Sequence, residues 1–357
     1  MRMEDIAKLA NVSKSAVSFA LSGKPGISAE TRERILKIAK ESGYVPKNRS
    51  LSSDKSKATL LFLAFTNTGL VLEQYYQQPF FRELIHFVEE RCRTKGYSLL
   101  FSSVDMEHIE RDIQSIAATN QSAGVILLGT NLSGVQIANI AETLPHLVVL
   151  DNCYESLPIH FVEINNVMGA YQAASYLYEK GHRKIGYIQS SDRIHNFNMR
   201  KRGFMAALQD RGLEVNEQHY LTAAPTILSS QESLKEQLET FIQSGGQLPT
   251  AIFCECDYIA ISAMKTLIEL GYRIPEDISI IGFDNISEAV IVSPELTTIH
   301  VEKETMAQIA VDLLIESIER EASPRVKVKT LVDTRFIERQ SCKILPAAPL
   351  PTQLQGV

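Results

Sequence analysis

From residue 60 onward, short apolar runs alternate with stretches whose apolar residues recur at helical spacing. LLFLAF (60–65), SLLFSS (98–103), GVILLG (124–129) and LVVLDN (147–152) predict strands, with helices near 80–95, 107–121 and 133–143. A second series follows: KIGYIQ (184–189), TAIFCE (250–255) and ISIIGFD (278–284), with helices near 167–180, 200–211, 231–244 and 258–270. Strands that are apolar on both faces and separated by helices imply buried parallel sheets. Two such series predict two α/β lobes, with a ligand cleft at the carboxyl ends of the strands.

The first 46 residues follow another pattern. Ile6, Ala7, Leu9 and Ala10 line one face of a helix over 4–11, and Ser13 is placed to cap a second helix over 14–22. Ser28 precedes a third helix, AETRERILKIAKES, with Ile35, Leu36, Ile38 and Ala39 expected inward. Its first turn is acidic and its end basic, as the helix dipole favours. Lys14 and Ser15 are polar and start the second helix, an arrangement that suits a recognition helix entering a major groove. A generic three-helix bundle is the alternative.

The chain has 357 residues with 45% hydrophobic and 22% charged positions, which excludes wholesale disorder and fibrous repeats. The formal charge of −6 is unevenly spread: residues 1–57 carry 12 basic and 6 acidic side chains, and the rest carry 24 and 36. A basic head on an acidic body favours a polyanionic partner at the head. Five scattered cysteines predict free thiols, and neither a membrane span nor a secretory leader is evident, so a cytoplasmic protein is expected.

The segment MEDIAKLANVSKSAVSFALSGKPGISAETRERILKIAKESGYVP resembles the DNA-binding head of the LacI/GalR family of transcription regulators. The body runs KGHRKIGYI (180–188), IPEDISIIGFDN (274–285) and SPELTTIHVEKETMAQIAVDLL (293–314) resemble the family's periplasmic-binding-protein-like core, so the likeness covers about residues 3–341. It implies an α/β protein with an N-terminal helix-turn-helix head (1–46), a hinge or linker (47–59) and a two-lobed core with parallel sheets (60–341). The first lobe is expected at about 60–161 and 293–322, the second at about 162–292 and 323–341, and a tail at 342–357.

On this resemblance Lys14, Ser15 and Phe19 read base edges; Phe19 stands where the family usually has a polar residue and can make only apolar contact, for instance with a thymine methyl. Ser13, Ser18, Ser22, Thr31 and Tyr44 occupy phosphate-contacting or capping positions. The family wedges a hinge leucine into the minor groove. Ser53 stands at the usual spacing, and Leu51, two residues earlier, is favoured as the wedge. The partner implied is a pseudo-palindromic duplex operator bound by a homodimer, with half-sites about 10 bp apart. The proline-bearing tail lacks leucine heptads, which argues against a tetramerising helix.

The resemblance also implies an effector site. Arg200, expected at the start of a helix, and Asp284, at the end of ISIIGFD, match ligand-contacting positions. Phe80 and Phe81 would offer aromatic faces to a ring; Asn196, expected in the loop before Arg200, and Thr130 are further polar candidates. Asn165 and the Cys256-Asp257 step depart from the family's Asp and Asn-Asp, so the pocket has diverged. No cofactor or metal is implied, and the default effector is a carbohydrate or sugar phosphate.

The chain contains no phosphate loop, G-x-G-x-x-G, H-E-x-x-H or G-x-S-x-G. Cys254-x-Cys256 lacks nearby histidine and reads as strand packing. The sequence therefore points to a regulator, most readily a repressor, and not to an enzyme. The competing class is a solute sensor whose head docks a protein, which salt-dependent binding to duplex DNA would separate.

Overall fold

The computed structural model describes residues 3–22, 26–42, 58–67, 69–71, 74–119, 121–144, 146–226, 230–319 and 326–346. The chain divides into two compact units, Met1–Lys57 and Ala58–Val357.

The first unit holds three helices, α1 (Met3–Leu9), α2 (Lys14–Ser22) and α3 (Ala29–Glu41). Ile6, Ala7, Ala10, Val17, Ala20, Ile35 and Ala39 form its buried core. The Ser13 hydroxyl accepts from the Ala16 N–H at 3.2 Å, and Ser28 accepts from Thr31 at 3.2 Å, so both expected caps are made. Leu9 and Leu36 do not point inward as expected; they are 60% and 44% exposed. Leu36 follows the fully buried Ile35, and one residue on turns a helical side chain by about 100°, off a core stripe this narrow.

The second unit begins with β1 (Thr59–Thr66), α4 (Pro79–Thr94), β2 (Ser98–Asp105), α5 (Ile109–Thr119), β3 (Gly124–Leu128), α6 (Gly134–Thr143), β4 (Leu147–Leu150) and β5 (His160–Ile164). It continues with α7 (Asn166–Glu179), β6 (Ile185–Ser190), α8 (His195–Gln209), β7 (Tyr220–Ala223), α9 (Ser230–Gln243), β8 (Ala251–Cys254), α10 (Asp257–Glu269) and β9 (Ser279–Ile281). The last elements are β10 (Thr298–Val301), α11 (Lys303–Glu319), β11 (Lys329–Val332) and β12 (Thr334–Ile337).

The first lobe's six-stranded parallel sheet runs β11-β5-β4-β3-β1-β2, and the second lobe's four-stranded parallel sheet runs β7-β6-β8-β9. The antiparallel pair β10-β12 adjoins β9 through the Ile281–Thr297 bridge. β3 and β4 are apolar throughout, β1 is apolar between its terminal threonines, and all three are almost wholly buried, as a sheet covered on both faces requires.

Two expected lobe assignments differ. β10 lies with the second sheet, whereas β11 pairs in register with β5 (Lys329 opposite Phe161) and closes the first sheet. The chain therefore crosses between lobes three times: after β5, after β10 and between β11 and β12.

α7 and α8 pack closely because Gly203 faces the backbone of Val167. A Cβ at Gly203 would sit 2.1 Å from the Val167 carbonyl oxygen. All five cysteines are free. Among the described residues no helix is long and apolar enough to cross a membrane, and no group of His, Cys, Asp or Glu is placed to hold a metal ion.

Candidate functional site

The three crossovers bring the carboxyl ends of both sheets together, and a small cavity of about 30 Å³ lies between them. Phe80 and Phe81 reach it from the first turn of α4, where Pro79 pre-sets the helical φ. Thr130 and Asp151 come from the ends of β3 and β4, Asn196 and Arg200 from α8, and Asp284 from just beyond β9. Leu70, Ile194, Phe197 and Tyr258 complete the wall.

α8 starts at His195, so Asn196 is not in a loop and Arg200 is not at a helix start as expected. The two are four residues apart on one helix, which puts them on one face.

Arg200 is 3% exposed, and each of its three nitrogens donates a hydrogen bond. Its Nε donates to Asn166 Oδ1 at 2.9 Å, Nη1 to the Glu255 carbonyl at 2.6 Å and Nη2 to Asp284 Oδ1 at 2.8 Å. The guanidinium carbon lies 3.8 Å from the Phe283 ring centroid, a stacked cation–π contact. Asn166 Nδ2 donates to Asn196 Oδ1 at 3.0 Å, and Asn196 Nδ2 donates to Asp151 Oδ1 at 2.9 Å. Thr130 Oγ1 donates to Asp151 Oδ2 at 2.6 Å. One hydrogen-bonded chain thus runs from Thr130 in the first lobe to Asp284 in the second. Tyr258 ties the lobes again by accepting from the Phe80 N–H at 3.2 Å.

Asp151 and Asp284 share an unusual backbone. Their φ angles are +67° and +113°, the left-handed region that side-chain-bearing residues rarely adopt, and Asn285 follows at +50°. Such strain concentrates where a side chain must be aimed at a site. Burial raises the pKa of both acids, Asp151 to about 6 against the pull of Thr130 and Arg200.

Three sequence candidates do not line the cavity. Asn165 caps α7, accepting from the Met168 N–H at 3.1 Å and donating to Asp333 Oδ1 at 2.8 Å, so it links two crossover segments. Asp257 accepts from Thr298 Oγ1 at 2.6 Å and from the Ile286 N–H at 2.9 Å, and burial pushes its pKa up to about 7. Cys256 is buried at the start of α10, where burial pushes its thiol pKa well up. Their neighbours Asn166 and Tyr258 enter the site instead. Asp151 was missed although it ends an apolar run as Asp284 does.

On the head, Lys14, Ser15 and Phe19 are exposed along α2, Phe19 at 37%. The Phe19 ring lies against Gly26, where a Cβ would stand 3.2 Å from two ring carbons. Ser13 and Thr31 make the cap contacts above; Thr31 Oγ1 also lies 2.8 Å from Ser28 Oγ. The side chains of Ser18 and Ser22, and Tyr44, Ser53 and Leu51 with most of the expected hinge, lie outside the described residues.

A three-helix unit with a polar-tipped second helix, carried on a chain with a two-lobed ligand-binding body, defines an effector-responsive DNA-binding regulator. Residues 2–47 match the model described as "Bacterial regulatory proteins, lacI family", and residues 174–342 match "Periplasmic binding protein-like domain". HTH-type transcriptional repressor CytR of Escherichia coli (strain K12) is 30% identical over 347 residues, 96% of this chain and 97% of CytR. HTH-type transcriptional repressor PurR of Pasteurella multocida (strain Pm70) is 31% identical over 347 residues, 96% of this chain and 98% of PurR. The solved transcriptional regulator CelR–cellobiose complex is similar with a TM-score of 0.68 at 25% identity, covering 96% of this chain and 99% of CelR. The chain belongs to the lacI family of bacterial regulatory proteins.

Proposed function

We propose that the protein is a repressor that binds a pseudo-palindromic operator as a homodimer and is switched by a small molecule held between its two lobes. α2 enters the major groove, where Lys14, Ser15 and Phe19 read base edges. Ser13, Ser18, Ser22, Thr31 and Tyr44 set register on the phosphates, and Leu51, in a hinge over residues 47–59, wedges the minor groove. Phe80, Phe81, Thr130, Asn196, Arg200 and Asp284 hold the effector, joined by Asp151.

The observation that carries the reading is the chain of buried hydrogen bonds from Thr130 through Asp151, Asn196, Asn166 and Arg200 to Asp284. It joins the lobes at the cleft, so a ligand there exchanges protein bonds for its own and changes how the lobes sit. A coupling of about 1–3 kcal/mol is enough to shift operator occupancy. The repressor names of CytR and PurR support the sign of action, and the cellobiose in CelR supports a carbohydrate effector. No catalytic role and no cofactor are assigned.

The test is selection of genomic DNA fragments by the purified full chain at ~150 mM salt, where non-specific phosphate binding is weak. Recovery of a palindromic sequence is expected. Enrichment of no sequence, with and without candidate effectors, would overturn the DNA-binding reading.

A further inference from the structure

We infer that the cleft takes a ring compound that is uncharged or cationic and rich in hydroxyl or amino donors, and that it excludes phosphorylated ligands. The inference rests on the effector reading above and narrows its chemistry.

The first ground is charge. The inner cavity adjoins an outer one of about 340 Å³ that shares Thr130 and Ile194 with it and adds Arg193 and His195. The basic side chains lining the two are therefore Arg200, Arg193 and His195, and each already meets a carboxylate. Arg200 holds Asp284 at 2.8 Å, Arg193 holds Glu255 at 2.6 Å and His195 meets Glu163 at 3.0 Å. Behind them Lys303, 2% exposed, meets Glu83 at 3.1 Å and donates to the Asp284 carbonyl at 3.1 Å. Asp151 is the acid left over: its side chain accepts from Thr130 and Asn196, neither a cation. A phosphate entering here would meet matched pairs plus one extra negative charge. The positive end of α8 favours an anion, but its half-charge is smaller than the full charge of Asp151. Asn196, in the first turn of that helix, already donates to Asp151.

The second ground is the sense of the free hydrogen-bonding capacity. Arg200 commits three of its five N–H donors, one from each nitrogen, to Asn166, Glu255 and Asp284. Ionised carboxylates can only accept, each oxygen has room for more than one bond, and both Asp151 and Asp284 line the cavity. With two ionised acceptors against the remaining Arg200 N–H groups and the Tyr258 hydroxyl, the site asks its ligand mainly for donors. Leu70, Phe80, Phe81, Ile194, Phe197 and Tyr258 supply the apolar surface that covers the faces of a ring. The inner cavity, about 30 Å³, is smaller than any ring, so the ligand enters by parting the lobes, and a substituent can extend past Ile194 into the outer cavity.

The experiment measures thermal stabilisation of the full-length protein by a bacterial small-molecule extract, untreated or treated with alkaline phosphatase. Stabilisation that survives phosphatase is expected, and mass spectrometry of the compound released on denaturation then identifies the ring. Stabilisation lost after phosphatase overturns the inference. Absence of stabilisation in both arms counts against the effector reading itself. Millimolar inorganic phosphate alone is expected to leave the melting temperature unchanged; a rise that Arg200→Gln removes would also overturn it. Asp151→Asn should keep the fold and raise the extract concentration needed for half-maximal stabilisation by roughly 10-fold, the loss of one charged acceptor. An unchanged requirement would remove Asp151 from the site.

Discussion

Arg200 on α8 and Asp284 beyond β9 form an ion pair of 2.8 Å whose side chains are 3% and 8% exposed. Removing one partner leaves a buried charge without its ion-pair partner, at a cost of roughly 3–5 kcal/mol. Arg200→Met is therefore expected to lower stability by that order in urea denaturation of the full chain. Arg200→Met combined with Asp284→Asn should recover much of the loss, since the stranded charge is gone and asparagine tolerates the left-handed backbone. Equal losses in the single and double variants would show that the pair is not coupled.

Asp151 gives a pH signature. Burial holds its pKa at about 6 in the folded chain against 3.8 for the free group, so the folded state binds this proton more tightly than the unfolded state. The stability it contributes is complete below about pH 4 and is lost as pH rises through about 6. Asparagine mimics the protonated form: its carbonyl can accept from Asn196 and its amide can donate to the Thr130 hydroxyl. The melting temperature of Asp151→Asn should exceed that of the wild type by several degrees near pH 8 and converge on it near pH 4. A difference that does not change with pH would contradict the buried-acid assignment.

Gly203 is a steric fulcrum between α7 and α8. Alanine there would place its methyl 2.1 Å from the Val167 carbonyl oxygen, so the helices must move apart. A loss of roughly 1–3 kcal/mol is expected. Asn196 and Arg200 ride on α8, so the response to effector should weaken with the melting temperature. An unshifted melting curve would mean that the two helices separate without strain.

The head has little to spare. Among the described residues its buried core is seven side chains, of which only Ile6, Val17 and Ile35 exceed alanine in size. Ile35→Ala removes roughly 2–5 kcal/mol from a unit too small to carry a large surplus. Operator binding should be abolished while effector-induced stabilisation of the body persists. Retained binding would show that DNA itself holds the head together.

The fold was legible where physics acts locally. Strands buried on both faces announce themselves as apolar runs, and the helices between them fell within a few residues of their predicted spans. β5, β7, β10, β11 and β12 were missed because they are short and mixed in character; β11 is KTLV, with Lys329 and Leu331 exposed at a sheet edge. The cleft was half legible. Arg200 and Asp284 came from family likeness and strand ends, and Asp151 carried the same strand-end signal unread. Asn166 was hidden beside the cap residue Asn165, since two adjacent amides look alike until the helix assigns one to the cap and one to Arg200. Leu70, Ile194, Phe197 and Tyr258 are ordinary apolar positions whose meeting depends on the crossovers.

Those crossovers have a consequence during synthesis. β11 is the outermost strand beside β5, yet it is made only after the whole second lobe and α11. A nascent first lobe therefore emerges with the β5 edge unpaired, and a message truncated before codon 329 yields a chain whose sheet can never be closed. Such products would present the mostly buried β5 as the sheet edge in place of the half-exposed β11, whose Lys329 stands at the native edge as a charge that discourages pairing with another chain.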